Sequence, residues 1–86
     1  MPKSENKLII MNRLHVFRAE HRLTQAQLSE SLGITRATII AIEGGNYNPS
    51  LELAFRIADF FKTDINSIFW IYPKAKEKLF EFVFIS

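Results

Sequence analysis

The chain has 86 residues, of which 48% are hydrophobic and 13% aromatic, with eight Phe. That is one domain's worth of sequence, near the lower size at which a single apolar core holds a chain together. The absence of Cys excludes disulfide scaffolds, thiolate metal sites and cysteine nucleophiles, and a net charge of +2 permits nucleic-acid binding without predicting it.

No stretch approaches the roughly 18 consecutive apolar residues of a membrane span. The apolar run in MPKSENKLIIMNR is too short for a signal peptide. A cytoplasmic protein with no membrane partner is therefore expected. His15 and His21 lack nearby ligand partners in the sequence, so no metal site is expected. Ser29, Ser31 and Asp59 fall on helical segments with no motif that would place a His beside them as a base. Without a Gly-rich phosphate loop or a paired-carboxylate motif either, the reading is a protein that is not an enzyme and carries no cofactor.

In chain order, residues 1–10 are polar and then briefly apolar (Leu8, Ile9, Ile10), a mobile arm, a short strand or an upstream extension ahead of Met11. From Asn12 to about His21 the positions Leu14, Phe17 and His21 recur three and four apart, one face of a helix. Thr24 with Gln27 three residues later makes a capping box, and Leu28 and Leu32 form the inner face of a second helix that Gly33 ends. Thr35 caps a third helix with Ile39 and Ile42 inward, stopped by Gly44 and Gly45. Asn46-Tyr47-Asn48-Pro49 reads as a loop. Ser50 caps a fourth helix with Leu53, Ala54, Ile57, Ala58 and Phe61 inward, and Asp64 caps a short fifth with Ile65, Ile68 and Phe69. Beyond Pro73, Lys74, Lys76 and Lys78 cluster, and Phe80, Phe82 and Phe84 alternate with Glu81, Val83 and Ile85. That alternation suggests a strand, with a helix over 74–82 also open. An unpaired strand this apolar invites pairing. Its expected partner is Lys7–Ile10 or the same segment of a second subunit.

The informative unit is residues 24–45, TQAQLSESLGITRATIIAIEGG. Two short helices joined by only Gly33, Ile34 and Thr35 cannot lie antiparallel and must cross steeply. The start of the second then protrudes, as a helix that enters the DNA major groove requires.

The motifs LTQAQLSESLGIT, TRATIIAIEGG, NPSLELAFRIADFF and TDINSIF, in this order over about residues 12–70, resemble the lambda-repressor-like (XRE) helix-turn-helix family. The resemblance implies an all-α fold of five helices, and the two tails leave room for a short β element. The chain then divides into an arm or strand over 1–11, a DNA-binding domain over 12–70, and a tail over 71–86 that could serve dimerisation. The implied function is sequence-specific binding of double-stranded DNA and regulation of transcription, as a repressor dimer on a two-fold related operator. Gln25 matches a residue that typically holds a phosphate. Thr35, Arg36 and Ala37 match the start of the recognition helix, and Ala41 a later base-facing position. Ile40 lies on the same helix toward DNA, and Asn46, Tyr47 and Asn48 match a loop that grips the backbone. Arg18 and Glu43 match an ion pair that is structural.

The chain departs from the family at Ala37, Ile40 and Ala41, where basic or amide side chains are common, and at Gly44 and Asn46, where Arg and Lys are. Between Thr24 and Tyr47 the only base is Arg36, set against Glu30 and Glu43. That thin charge, with the aromatic tail, supports an alternative: an antitoxin-like or accessory module that binds a protein partner through the tail. DNA binding would then be weak or secondary.

Overall fold

The computed structural model describes residues 8–72. In chain order these form strand β1 (Ile10–Asn12), helices α1 (Leu14–Glu20), α2 (Gln25–Leu32), α3 (Arg36–Glu43), α4 (Leu51–Phe60) and α5 (Ile65–Ile68), and strand β2 (Phe69–Ile71). Five helices enclose the core, and the two strands close one side as an antiparallel pair in the register Ile10↔Ile71, Met11↔Trp70 and Asn12↔Phe69.

Three helices start on side-chain caps that satisfy backbone donors left free in a first turn. Thr24 accepts from the Gln27 N–H while the Gln27 amide oxygen accepts from the Thr24 N–H, a complete capping box at α2. Thr35 accepts from Thr38 at α3, and Ser50 from Leu53 at α4. Asp64 stands at the N-cap of α5 in extended conformation but makes no side-chain cap bond. Helix α1 starts later than the periodicity predicts, because Asn12 belongs to β1 and its side-chain oxygen accepts from the Leu14 N–H.

Helices α1 to α4 end in one shared way. In each, a residue with positive φ (Arg22, Gly33, Gly45, Lys62) turns the chain, and the next residue's N–H reaches back five positions to a carbonyl. Those bonds are Leu23 to Arg18, Ile34 to Ser29, Asn46 to Ala41 and Thr63 to Ala58, the six-to-one closure of a left-handed helix end. Two of the four turning residues are not Gly, so those stops had no clear signature in the sequence.

The inner faces converge on one core: Leu14 from α1, Leu28 and Leu32 from α2, Ile39 and Ile42 from α3, and Leu53, Ala54, Ile57 and Ala58 from α4, with Phe61, Ile68 and Phe69. Leu14, Leu28, Ile39, Ile57 and Ile68 are sealed from solvent entirely. Among the described residues Ser29 is the buried polar one, its hydroxyl donating to the Ala26 carbonyl. Phe61 organises an aromatic cluster, 5.6 Å from Phe17, 4.8 Å from His21 and 4.9 Å from Phe60 between ring centroids. His21 is thus a surface cover for the core and sits on the Phe17 carbonyl at 2.9 Å.

The expected pairing of Lys7–Ile10 with Phe80–Ile85 falls largely outside the described residues, within which Ile10–Asn12 pairs with Phe69–Ile71. Phe69 therefore leaves α5 and opens β2, and the strands straddle the boundaries expected at 11/12 and 70/71. The aromatic tail itself, with the Lys74, Lys76 and Lys78 cluster, lies outside the described residues.

The helix ends generate a stability prediction. At Lys62 (φ 54) a side chain is held in the left-handed region, so Lys62→Gly should stabilise the fold by about 0.5–1 kcal/mol. Gly33→Ala should destabilise it by about 1 kcal/mol. A Cβ at Gly33 would only reach ordinary contact with Arg56, at 3.9 Å, so backbone strain alone is measured. Urea unfolding midpoints of the two variants check both signs.

Candidate nucleic-acid interface

Helices α2 and α3 are joined by a three-residue turn with Gly33 in left-handed conformation (φ 73) and Ile34 packed against the core. The C-terminal end of α2 is held from outside by Arg56 of α4, whose guanidinium donates to the Leu32 carbonyl. The apolar wedge of Leu28, Leu32, Ile39 and Ile42 then holds the two helices as a unit. With Ile39 and Ile42 inward, Ala37, Ile40, Ala41 and Gly44 form the opposite stripe of α3, spaced three, four and seven residues on from the first.

This stripe is smooth and nearly uncharged. Ala37 is exposed, Ala41 half-buried, and Ile40 presents 46% of its surface to solvent. A side chain at Gly44 would crowd the Asn46 amide (3.2 Å) and the Ile40 carbonyl (3.3 Å), so the end of the stripe is bare backbone. Arg36 stands exposed in the first turn of α3, beside Thr35, whose hydroxyl lies 3.0 Å from that of Thr38. An exposed guanidinium at a protruding helix start has the reach and the fork geometry for guanine O6 and N7, and the apolar stripe can meet thymine methyls. Asn46, Tyr47 and Asn48 follow α3 as an exposed loop. Together with Gly45 and Leu8–Ile10 they line an open cavity of about 520 Å³ between the loop and the N-terminal segment.

The C-terminal end of α3 is held by Glu43. Arg18 of α1 approaches it with two donors, Nε to Oε2 at 2.7 Å and Nη2 to Oε1 at 3.1 Å, a bidentate pair. The remaining Arg18 nitrogen Nη1 donates to the Leu23 carbonyl at 3.0 Å, tying in the α1–α2 turn. The two side chains are only 20% and 10% exposed. Burial by itself would raise the Glu43 carboxyl, but the bonds from Arg18 and then Gln25, with the positive charge of Arg18, hold it below the ordinary carboxylate value. In return the hydrogen bond to Glu43 holds the Arg18 guanidinium above its ordinary value.

Gln25, at the start of α2, makes a bond to the recognition helix that the sequence did not predict. Its side-chain nitrogen donates to Glu43 Oε1 at 3.1 Å, and the residue is half-buried. The amide therefore bridges α2 to α3, and its second N–H, with the backbone at the start of α2, remains available to a phosphate. Three further contacts had no motif in the sequence. Asn12 donates to the Ile42 carbonyl at 2.9 Å, Arg56 caps α2, and the Arg13 guanidinium lies 4.8 Å above the Trp70 ring. All join residues at least 24 apart in sequence, where no local periodicity operates.

A three-residue turn, a protruding α3 and a charge-clamped helix end define a helix-turn-helix protein of the DNA-binding transcriptional-regulator class. The family model described as helix-turn-helix matches residues 14–68, and the chain belongs to this XRE-type helix-turn-helix family. An HTH-type transcriptional regulator of Methanocaldococcus jannaschii is 57% identical over 58 residues, 67% of this chain and 88% of that protein. A Bacillus subtilis HTH-type transcriptional regulator is 40% identical over 60 residues, 70% of this chain and 91% of that one. The immunity repressor protein of Bacillus phage phi105 is 29% identical over 75 residues, 87% of this chain and 52% of the repressor. Among solved structures, a Bacteroides fragilis protein superposes with a TM-score of 0.64 at 26% identity, covering 71% of this chain and 98% of its own. The transcriptional regulator VanUg shares the fold at a TM-score of 0.67 and 17% identity, covering 86% and 99%. These relatives are regulators, a non-enzyme class. Among the described residues no helix is long and apolar enough to cross a membrane.

Glu43→Gln should destabilise the fold by about 2–4 kcal/mol, because it leaves a largely buried guanidinium without its counter-charge. The folded carboxyl titrates below its unfolded value of about 4.3, so the unfolded chain binds more protons in that interval. The stabilisation is complete above the unfolded value and is lost as pH falls through the folded one. Urea unfolding of parent and variant between pH 7 and pH 3 should therefore show the two stabilities converging toward the acid end.

Proposed function

We propose that the protein binds double-stranded DNA sequence-specifically as a homodimer on a two-fold related operator and represses transcription there. The observation that carries this reading is Arg36, exposed at the protruding start of a helix whose far end is fixed by Arg18, Gln25 and Asn12. A base-reading side chain discriminates only when its helix cannot tilt to suit the wrong base. Arg36 is the principal base reader, and Ala37, Ile40 and Ala41 supply apolar contacts to thymine methyls. Thr35, Gln25 at the start of α2, and Asn46, Tyr47 and Asn48 hold phosphates. Repression is the activity of the phage phi105 immunity repressor, half of which aligns over most of this chain.

A helix of eight residues is about 12 Å long and spans only a few base pairs. Two copies placed about 34 Å apart on successive major grooves supply the affinity one copy lacks. The surface suited to joining them is on the sheet, where Ile9, Ile71 and Tyr72 are exposed. Beside it an apolar groove of about 330 Å³ is lined by Ile10, Ile65, Asn66, Phe69, Trp70 and Ile71. The site of action is the cytoplasm, where the DNA is.

A second reading rests on the charge-poor face of α3 and on the same apolar edge: an antitoxin-like or accessory module that clasps a protein partner, with DNA binding secondary. Genomic fragments incubated with the protein across a salt series separate the two. Enrichment of fragments sharing an inverted repeat, with affinity falling steeply as salt rises, is the expected result. A folded protein that enriches nothing at any salt overturns it in favour of the protein-binding module.

On the enriched site, Arg36→Ala should weaken binding by about 1–3 kcal/mol and relax preference at one base position. Equal binding to every sequence by parent and variant would remove Arg36 from base reading. Removing residues 79–86 should convert dimer to monomer in sedimentation, and an unchanged dimer mass would assign the interface to the sheet and α5 alone.

A further inference from the structure

Asn12 sits where the sheet meets the recognition helix. It is the last residue of β1, paired opposite Phe69, and its side chain makes two bonds of opposite sense. Oδ1 accepts from the Leu14 N–H at 3.0 Å, and Nδ2 donates to the Ile42 carbonyl of α3 at 2.9 Å. The amide orientation is fixed by this network, since the flipped amide would set oxygen against carbonyl and nitrogen against N–H. The Ile42 carbonyl already accepts from the Gly45 N–H at 3.0 Å, so Asn12 takes its second lone pair. A donor at this point also meets the negative end of the helix.

Helix α3 is therefore held from two directions. Arg18 and Gln25 grip the Glu43 side chain from α1 and α2, and Asn12 grips the backbone one residue earlier from the sheet. A side-chain grip on Glu43 alone leaves α3 free to roll about that one carboxylate. The bond to Ile42, on the core-facing side of the helix, removes that freedom. We propose that Asn12 is a positioning residue for DNA readout: it transmits the placement of the two-stranded sheet to the attitude of α3, and so to Arg36 at the other end.

This inference rests on the DNA-binding reading above, and it gives the N-terminal strand a part in specificity without any contact to DNA. It also joins the edge suited to dimerisation to the helix that reads bases, because Ile10 of the apolar groove and Asn12 of the clamp belong to the same three-residue strand.

Two variants separate the clamp from the helix cap. Asn12→Asp keeps an acceptor for the Leu14 N–H and removes the donor to Ile42, and Asn12→Ser keeps an acceptor with no added charge and is too short to reach that carbonyl. Each is compared with the parent for thermal midpoint, for affinity to the enriched fragment and to a scrambled fragment of equal length, and for 1H–15N shifts. The expected result is a folded protein whose affinity for the scrambled fragment is kept while the preference for the enriched fragment falls about tenfold, the worth of one hydrogen bond of about 1.4 kcal/mol. Amide shifts should move at Ile42–Asn46 and at Arg36, with those of α4 unchanged. Parental preference in a folded variant overturns the proposal, and so does a parallel loss of both affinities and of the thermal midpoint, which marks a purely structural role. If the parent itself prefers no fragment, the DNA-binding reading has failed, and the shifts at Arg36 alone decide whether the sheet sets the attitude of α3.

Discussion

The fold turns on a carboxylate placed where three helices meet. Glu43 ends α3, and Arg18 and Gln25 reach it from α1 and α2, so one side chain defines the relative placement of three elements otherwise joined only by apolar contact. Apolar packing is non-directional, and a wedge of Leu and Ile side chains can slide or rotate at little cost. Bidentate hydrogen bonds to a guanidinium cannot, because both distance and plane are fixed. A largely buried ion pair is a weak source of net stability compared with an apolar core. Its value here is geometric, since together with the Asn12 bond to Ile42 it narrows the orientations open to α3 in the packed bundle.

The distribution of charge follows from this. The carboxylate that would repel DNA phosphates at the end of α3 is neutralised by Arg18 and covered by Gln25, and Gly44 beyond it is bare. What faces outward from α3 is Arg36 and a stripe of Ala, Ile and Gly. Such a surface attracts DNA only modestly at long range. In the proposed DNA-bound dimer it would read sequence through close shape and methyl contact more than through a strong field, which makes the rigidity of α3 and a second copy of the domain more important than they would be in a highly basic reader.

The sheet adds a second function to what resembles a simple closure of the fold. Two short strands are marginal alone. They persist because Phe69 and Ile10 pack on the core, Arg13 stacks on Trp70, and the Arg13 N–H bonds to the Ile68 carbonyl. Through Asn12 this closure is also in direct contact with the end of α3.

The sequence by itself determined the elements and their inward faces. Thr24, Thr35 and Ser50 announce helix starts because their hydroxyls satisfy backbone donors within three residues, and Gly33 and Gly45 announce ends because left-handed backbone favours Gly. The positions Leu28, Leu32, Ile39, Ile42, Leu53 and Ile57 follow from a 3.6-residue period that needs no partner to be read. The pairing of Arg18 with Glu43 was legible only through the family pattern. Tertiary structure alone decided that Gln25 turns inward to Glu43, that Arg22 and Lys62 end helices in the left-handed region, that Phe69–Ile71 takes the edge of Ile10–Asn12, and that Asn12 reaches α3. Each depends on atoms far apart along the chain, and an amide, guanidinium or strand edge takes whichever partner the packed core brings within about 3 Å.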